Sequence, residues 1–228
     1  MRLIDRDLHS EQSNPEVALN ATRQAPRWRR RKESRSAELL EAALHLFGEF
    51  GYAQTRLDDV AARAGISKGT VYLYFASKQD LFEAVVHERA SPWINALATR
   101  PIDDEQPTDV VVREALLWGW NQFLESKLYL IARIVLGESN NFPHLAQAYL
   151  REVMGPIHRY LISLLERGIA RGEIDGEASR ERVKAMLAPL SWFALWRHAL
   201  LSHGNPPMRE DVYIHEAIEM AVRSLRSR

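Results

Sequence analysis

An all-α fold is what this sequence predicts, and three observations predict it. Apolar residues recur at i, i+3, i+4 and i+7 in one stretch after another, helix-capping residues precede these stretches while glycine or proline follows them, and no segment alternates at the two-residue period of a strand. There is no internal repeat. At 228 residues the chain can bury a substantial core, as one domain or two closely packed ones.

The first residues, 1–32, lack sustained periodicity and carry Asn14-Pro15, Pro26 and a basic run, which predicts a disordered or weakly helical arm. Charge is balanced overall, with 30 basic and 30 acidic residues, yet Arg23, Arg27, Arg29, Arg30, Arg31, Lys32 and Arg35 crowd into one segment opposed only by Glu33. Such a run either lies along phosphates or is a solvated extension. From about Ser36, the residues Ala37, Leu40, Ala43, Leu44, Phe47 and Phe50 mark one face of a helix that Gly51 ends.

The stretch TRLDDVAARAGISKGTVYLYF, Thr55 to Phe75, predicts two short helices at a sharp turn. Thr55 with Asp58 three residues on is a capping pair, and Leu57, Val60, Ala61 and Ala64 give the first helix its inner face. Gly65 supplies the positive φ of the turn, Ile66 locks the two helices, and Ser67 caps the second. That second helix carries Gly69, Thr70 and Val71 in a row, all mediocre helix formers, so helicity alone did not select them. Small residues at its start permit close approach to another backbone, and Ser67, Lys68, Thr70, Tyr72 and Tyr74 offer hydroxyls and a cation suited to phosphates and base edges. The expectation is a helix-turn-helix whose second helix reads DNA. Ser77 and Asp80 cap a fourth helix through Leu81, Phe82, Val85 and Val86, running into the Ser91-Pro92 region or slightly beyond.

With the lead-in FxxxGYxxT and the core GxSKGTxYxYFxSKxxL both present without gaps, residues from about Ser36 to Val86 resemble the TetR family of transcriptional regulators. The resemblance implies an N-terminal helix-turn-helix domain over residues 33–80 and a larger helical effector-binding and dimerisation domain over 81–228. It places DNA contacts at Thr55, Arg56, Ser67, Lys68, Gly69, Thr70, Tyr72, Tyr74 and Lys78, most of them to phosphate, with Lys68 and Thr70 the candidates for base edges. It also implies a double-stranded operator and a small-molecule effector held inside the helical body.

The body is consistent with that expectation. ATRPIDDEQPT is a loop with Thr108 as the next cap, followed by helices to about Ser126 and Gly137. His144 to Gly168 is one long striped helix in which Gly155-Pro156 predicts a kink or break, Arg180 to Ser202 is apolar nearly all round, and Met208 to Leu225 closes the chain. Among the aromatics, Trp93, Trp118, Trp120, Phe123, Tyr129, Trp192, Phe193 and Trp196 combine ordinary packing with the makings of a pocket. The pocket expected from the resemblance takes Trp93, Trp118, Phe123, Phe193 and Trp196 as walls and Asn121, Arg133 and His198 as polar anchors, for an apolar or aromatic molecule. The stripes of the two most apolar helices are wider than one neighbour requires. Leu161, Leu164, Leu165, Leu187 and Leu195 are therefore expected at a homodimer contact, with a near-palindromic DNA site to match.

Other classes fare worse. The eight histidines show no metal spacing, there is no G-x-S-x-G and no phosphate-binding glycine loop, so no enzyme and no cofactor is expected. The absence of cysteine excludes disulfides, thiolate metal sites and cysteine nucleophiles and fits a reducing compartment. No run of 18 apolar residues and no secretory h-region occur, so a soluble cytoplasmic protein without membrane contact is expected. Nothing in the residues separates repressor from activator, and an architectural or activating DNA binder without effector is the alternative.

Overall fold

The computed structural model describes residues 27–199 and 209–225, with side chains described from Arg35 to Trp196 and again from Arg209. Ten helices occur among the described residues, and no strand does. Residues 27–36 belong to a first compact unit, and the packing described below lies within a second that begins at Ala37.

Helix α1 spans Arg27–Gln54, which corrects its expected start by nine residues. Arginine, lysine, glutamate and alanine are good helix formers, and after Pro26 neither a proline nor a positive-φ glycine precedes Gly51, so the helix extends beyond the apolar face that marks its packed part. The basic residues from Arg27 to Lys32 are thus helical, while residues 1–26 lie outside the described set. Gly51 interrupts α1 at φ 83°, ψ 170°, a conformation open to glycine. A Cβ there would also stand 2.7 Å from Oε1 of Glu138.

Helix α2 is Leu57–Arg63 and α3 is Lys68–Tyr74. The α2 cap is Arg56, one residue later than expected, because the Asp59 carboxylate accepts from the Arg56 backbone N–H. Thr55 turns inward instead, 2 % exposed, and its hydroxyl donates to the Gly51 carbonyl at 2.7 Å. Between the helices Gly65 sits at φ 67°, with Gly65 N–H donating to the Ala62 carbonyl and Ile66 N–H to that of Ala61, the paired bonds of a Schellman turn. Ser67 caps α3 by accepting from Thr70 N–H, and Ser77 caps α4 by accepting from Asp80 N–H.

Helix α4 (Lys78–Ala98) continues six residues past Pro92. The missing backbone bond costs the helix about 3 kcal/mol. Burial of Trp93 and Leu97 just beyond the proline offsets that cost. Helix α5 is Thr108–Glu125, with Pro107 rather than Thr108 in the cap position. Thr108 is wholly buried; its N–H donates to Glu173 at 2.7 Å and its hydroxyl accepts from Arg167 at 2.7 Å. Arg167 also donates to the carbonyls of Asp103, Asp104 and Gln106, which ties the loop between α4 and α5 to the end of α8.

Helix α6 is Leu128–Glu138, entered through Lys127 at φ 59°, and α7 is Pro143–Tyr149. The expected break at Gly155-Pro156 takes the form of a π-turn, Leu150–Met154, leading without interruption into α8, Gly155–Ala170. Pro156 has no N–H to give, and the wider turn before it relieves the ring's clash with the preceding carbonyls. Helix α9 is Arg180–Ala199 and α10 is Glu210–Arg223.

Two apolar clusters hold these helices. The first joins α1–α4 to α6 and α7, around the rings of Phe47, Tyr52 and Phe82, whose centroids are 5.5–5.7 Å apart. It runs from Leu39 to Val153 and so crosses residue 80, the expected domain boundary. The second joins α5, α8, α9 and α10. Phe123, Ile157 and Tyr160 pack against both. Among the described residues no helix is long and apolar enough to cross a membrane.

The Glu173 carboxyl is held down from 4.5 to about 2, first by its hydrogen bonds with Thr108 and then by Arg171. A depressed carboxyl stabilises the fold above its unfolded value, and that contribution is lost as pH falls from 4.5 toward 2. Glu173→Gln should therefore melt at a lower temperature than the parent at pH 7. It should also show a shallower loss of melting temperature across the acid window, read by circular dichroism.

Candidate functional site

The outer face of the helix-turn-helix is built by what faces inward. Leu57, Val60, Ala61, Val71 and Phe75 are buried against α1 and α4, which turns Arg56, Ser67, Lys68, Gly69, Tyr72 and Leu73 to solvent, with Thr70 and Tyr74 half-exposed. Of the nine residues expected to contact DNA, the seven besides Thr55 and Lys78 are therefore solvent-accessible. Gly69 needs no positive φ and a Cβ there would meet nothing within 4 Å, so nothing inside the fold requires glycine. Lys68 lies against Asp58 of α2 at 2.7 Å, an exposed pair whose attachment to water is easily exchanged. Leu73, 85 % exposed, was not anticipated; an apolar residue on a polar face has no sequence signal until burial is known.

Two of the nine are corrected. Thr55 has its hydroxyl committed to Gly51, and Lys78 donates to the carbonyls of Tyr52 and Ala53 at 2.7 and 3.1 Å, with its ammonium 4.5 Å above the Tyr52 ring. Burial holds the Lys78 pKa below its ordinary value. Its stem and charge thus close the carbonyl end of α1 rather than reaching outward.

That end of α1 is gripped from the other side by α6. Tyr52 and Ala53 donate their backbone N–H groups to the two oxygens of Glu138 at 2.6 and 2.7 Å, and the Arg133 guanidinium donates to the Gly48 carbonyl. The Tyr52 hydroxyl, buried and next to the acids Glu138 and Glu83, is pushed up to about 12 and shares a 2.8 Å hydrogen bond with His144. Glu41 of α1 pairs with Arg89 of α4 and with Lys127 at the start of α6. Helix α1, against which the reading helices pack, is thereby fastened to α4 and α6 by charge-assisted bonds, each stronger than a neutral one.

The opposite face of α6 is apolar and borders a cavity of about 410 Å³. Ala132, Val135 and Leu136 of α6 and Ser139 at its end line it, together with Trp93 and Leu97 of α4, residues of α5 from Ala115 to Phe123, the π-turn, α8 and α9. Leu136 and Leu150 belong to its wall yet are 63 % and 58 % exposed, which marks the opening. The volume lies in the range of small-molecule sites, and almost every lining group is apolar. The exceptions are the hydroxyl-bearing residues Ser139, Tyr149, Tyr160 and Ser191; the Tyr160 hydroxyl and the indole N–H of Trp93, another wall residue, are themselves buried and have no hydrogen-bond partner. Leaving such a group unpaired costs about 1–3 kcal/mol.

Of the eight residues expected at this site, Trp93 and Phe123 line it. Trp118 stands behind Trp93, ring centroids 6.3 Å apart, and Arg100 lies over its face at 5.3 Å. Arg133 is no anchor, since it serves Gly48, and Asn121 points to solvent. Phe193 is buried in the second cluster, stacked on Tyr213 at 4.6 Å, with half-buried Trp196 beside it. The side chain of His198 lies outside the described residues. Gly119, Tyr149 and Tyr160 line the cavity without having been singled out, because a stripe position facing a void looks identical in sequence to one facing the core.

The dimer residues are corrected more sharply. Leu161, Leu164 and Leu165 are at most 3 % exposed within a single chain, so they belong to its own core, and Leu187 and Leu195 line the cavity. The outward face of α9 is instead Lys184, Ala185, Ala188, Ser191 and Trp192, the last 61 % exposed.

An all-helical chain with a capped helix-turn-helix and an apolar cavity within its helical body is a DNA-binding transcriptional regulator of the ligand-responsive kind. Residues 39–85 match the bacterial regulatory proteins of the tetR family, and residues 121–224 match the C-terminal domain of AefR-like transcriptional repressors; the chain belongs to the TetR family. It is 26% identical over 148 residues to the fatty acid metabolism regulator protein of Bacillus subtilis, 64% of this chain and 73% of that one. Against the HTH-type transcriptional regulator TtgR of Pseudomonas putida it is 26% identical over 150 residues, 64% of this chain and 71% of the relative. In fold it is similar to FadR of Bacillus subtilis in complex with stearoyl-CoA, with a TM-score of 0.67 at 19% identity over 83% of this chain and 99% of that one.

Proposed function

We propose that this protein is a homodimeric repressor that leaves a near-palindromic operator when an elongated apolar molecule enters the cavity. Residues 33–80 serve as the reading part and residues 81–228 as the ligand-binding and dimerising part. The observation that carries this reading is the double role of α6: one face lines the cavity and the other, through Arg133 and Glu138, holds the end of α1 that supports the reading helices. A ligand changes DNA affinity only by binding one arrangement of the heads better than the other, and typical couplings are about 1–3 kcal/mol. Filling the cavity displaces α4 or α6 and so reaches both anchors of α1. A lining this apolar suits an acyl chain, and the similarity to a FadR that binds stearoyl-CoA points the same way.

For DNA, the accessible hydroxyls of Ser67, Tyr72 and Tyr74 serve phosphates, and Thr70 with Lys68, once released from Asp58, serves base edges. Thr70→Ala or Lys68→Ala should cost on the order of 1–3 kcal/mol on the preferred site and much less on other DNA, measured by fluorescence anisotropy at fixed salt. Equal losses on all sequences would remove base reading from these two positions.

The cavity is tested at Gly119, which lines it and whose Cβ would meet nothing within 4 Å. Gly119→Met occupies the void and replaces a mid-helix glycine, gaining about 1 kcal/mol of helix propensity. The variant should melt higher, keep operator affinity, and no longer release DNA to acyl compounds that release the parent. Undiminished release by the variant would place the effector elsewhere.

A further inference from the structure

Leu73 is the most exposed large apolar side chain among the described residues, 85 % open to solvent, and it stands on α3, the helix assigned to reading DNA. Its direction follows from the helical turn. Val71 is wholly buried and fixes the inner face; at about 100° per residue, Gly69 and Leu73, two positions before and after it, each point about 160° away from it. Thr70 and Tyr72, the immediate neighbours of Val71, point to the two flanks. The outermost strip of α3 is therefore one glycine and one leucine with a hydroxyl on either side. A helical side chain leans back over the preceding turn, so Leu73 tilts toward Gly69, where even a Cβ would meet nothing within 4 Å. Bare backbone and leucine together form an open apolar notch at the part of the helix that comes nearest to anything docked on it.

On most surfaces a single exposed leucine calls for no explanation. Here the partner is DNA, and the notch has one complement. Of the groups that the four base pairs present in the major groove, the C5-methyl of thymine is the apolar one, and the others are hydrogen-bond donors or acceptors. A donor or acceptor pressed against leucine would lose its water without gaining a bond. We infer that Leu73 is a specificity-determining residue: with α3 in the major groove it covers the C5-methyl of a thymine in the operator, and the missing side chain of Gly69 lets the base edge come that close. The inference rests on α3 being the reading helix.

The test begins with selection of a preferred duplex from a random double-stranded library by the full-length protein, and then replaces its thymines one at a time by deoxyuridine. That exchange keeps the base pair and the O4 acceptor and removes the methyl alone. Binding is followed by fluorescence anisotropy at fixed salt. For at least one thymine the parent should bind the deoxyuridine duplex about four-fold more weakly, which is what burial of one methyl group is worth. Leu73→Ala should bind the thymine duplex correspondingly more weakly and should no longer distinguish it from the deoxyuridine duplex at that position. Leu73→Met, which keeps an apolar side chain of similar reach, should still distinguish them. Both variants should melt with the parent, because the side chain they change is almost fully exposed, and this separates lost recognition from lost folding. A parent indifferent to the methyl at every thymine, or a methyl effect that survives in Leu73→Ala, overturns the inference. If Thr70→Ala or Lys68→Ala then still loses affinity for the preferred duplex, α3 remains the reading helix; if neither does, the reading of DNA by α3 falls with it. Recovery of no preferred duplex overturns both.

Discussion

Glu138→Ala should detach the reading head from the body of the protein. The carboxylate receives the backbone N–H groups of Tyr52 and Ala53 at 2.6 and 2.7 Å, immediately after the positive-φ break at Gly51, and no other acceptor on α6 stands there. Hydrogen bonds to a charged group are worth about 1.5–3 kcal/mol each, and water restores part of the exposed one, so the loss should come to about 2–4 kcal/mol. It should fall unevenly. Amide exchange should quicken from Leu44 to Arg56, including the Thr55 turn that leads into α2, while α8 and α10, which rest on the second apolar cluster, keep their protection. Operator affinity should fall with it, since the spacing of two heads is defined only when each is fixed. Gly51→Ala should reproduce much of this, because its Cβ would press on the same carboxylate from a φ that alanine disfavours. Normal exchange and normal DNA binding in Glu138→Ala would mean that α6 is not the anchor of the head.

Trp192→Glu should convert a dimer into a monomer and abolish specific DNA binding. Trp192 is 61 % exposed in the middle of α9, flanked along the helix by the small residues Ala185 and Ala188, which allow a second helix to approach. A two-fold axis brings such a patch against its own copy, where a glutamate would meet a glutamate in an apolar contact. One recognition helix reads too few bases alone, and two are needed about 34–36 Å apart or a multiple of that. Operator affinity should drop at least about 100-fold, with helical content and melting temperature of the single chain largely kept. Sedimentation gives the first reading and anisotropy on a palindromic site the second. The same substitution at Leu161, 3 % exposed, should instead unfold the chain, since it puts an unpaired charge into the monomer's own core. A dimeric Trp192→Glu protein would move the contact off α9.

Much of this molecule was settled by local chemistry. The caps at Ser67 and Ser77, the Schellman glycine at 65, the break at Gly51 and the 3.6-residue period of each apolar face act within a turn or two of chain, so the sequence by itself determined the helix-turn-helix and the all-α class. A helix end set by long-range packing, as beyond Pro92, or by helix propensity without an apolar face, as before Ser36, was not determined in that way. Still less so were the partners of polar groups. Glu138 meets the Tyr52 amide across 86 residues and Arg133 meets Gly48 across 85, pairings that no spacing rule encodes, and they turned expected ligand anchors and phosphate contacts into the fastening of the head. Periodicity identifies an apolar face without saying what covers it. Leu161, Leu187 and Trp192 read alike in sequence, yet tertiary packing puts the first in the core, the second against a cavity and the third in solvent, because burial is decided by whichever helix arrives opposite.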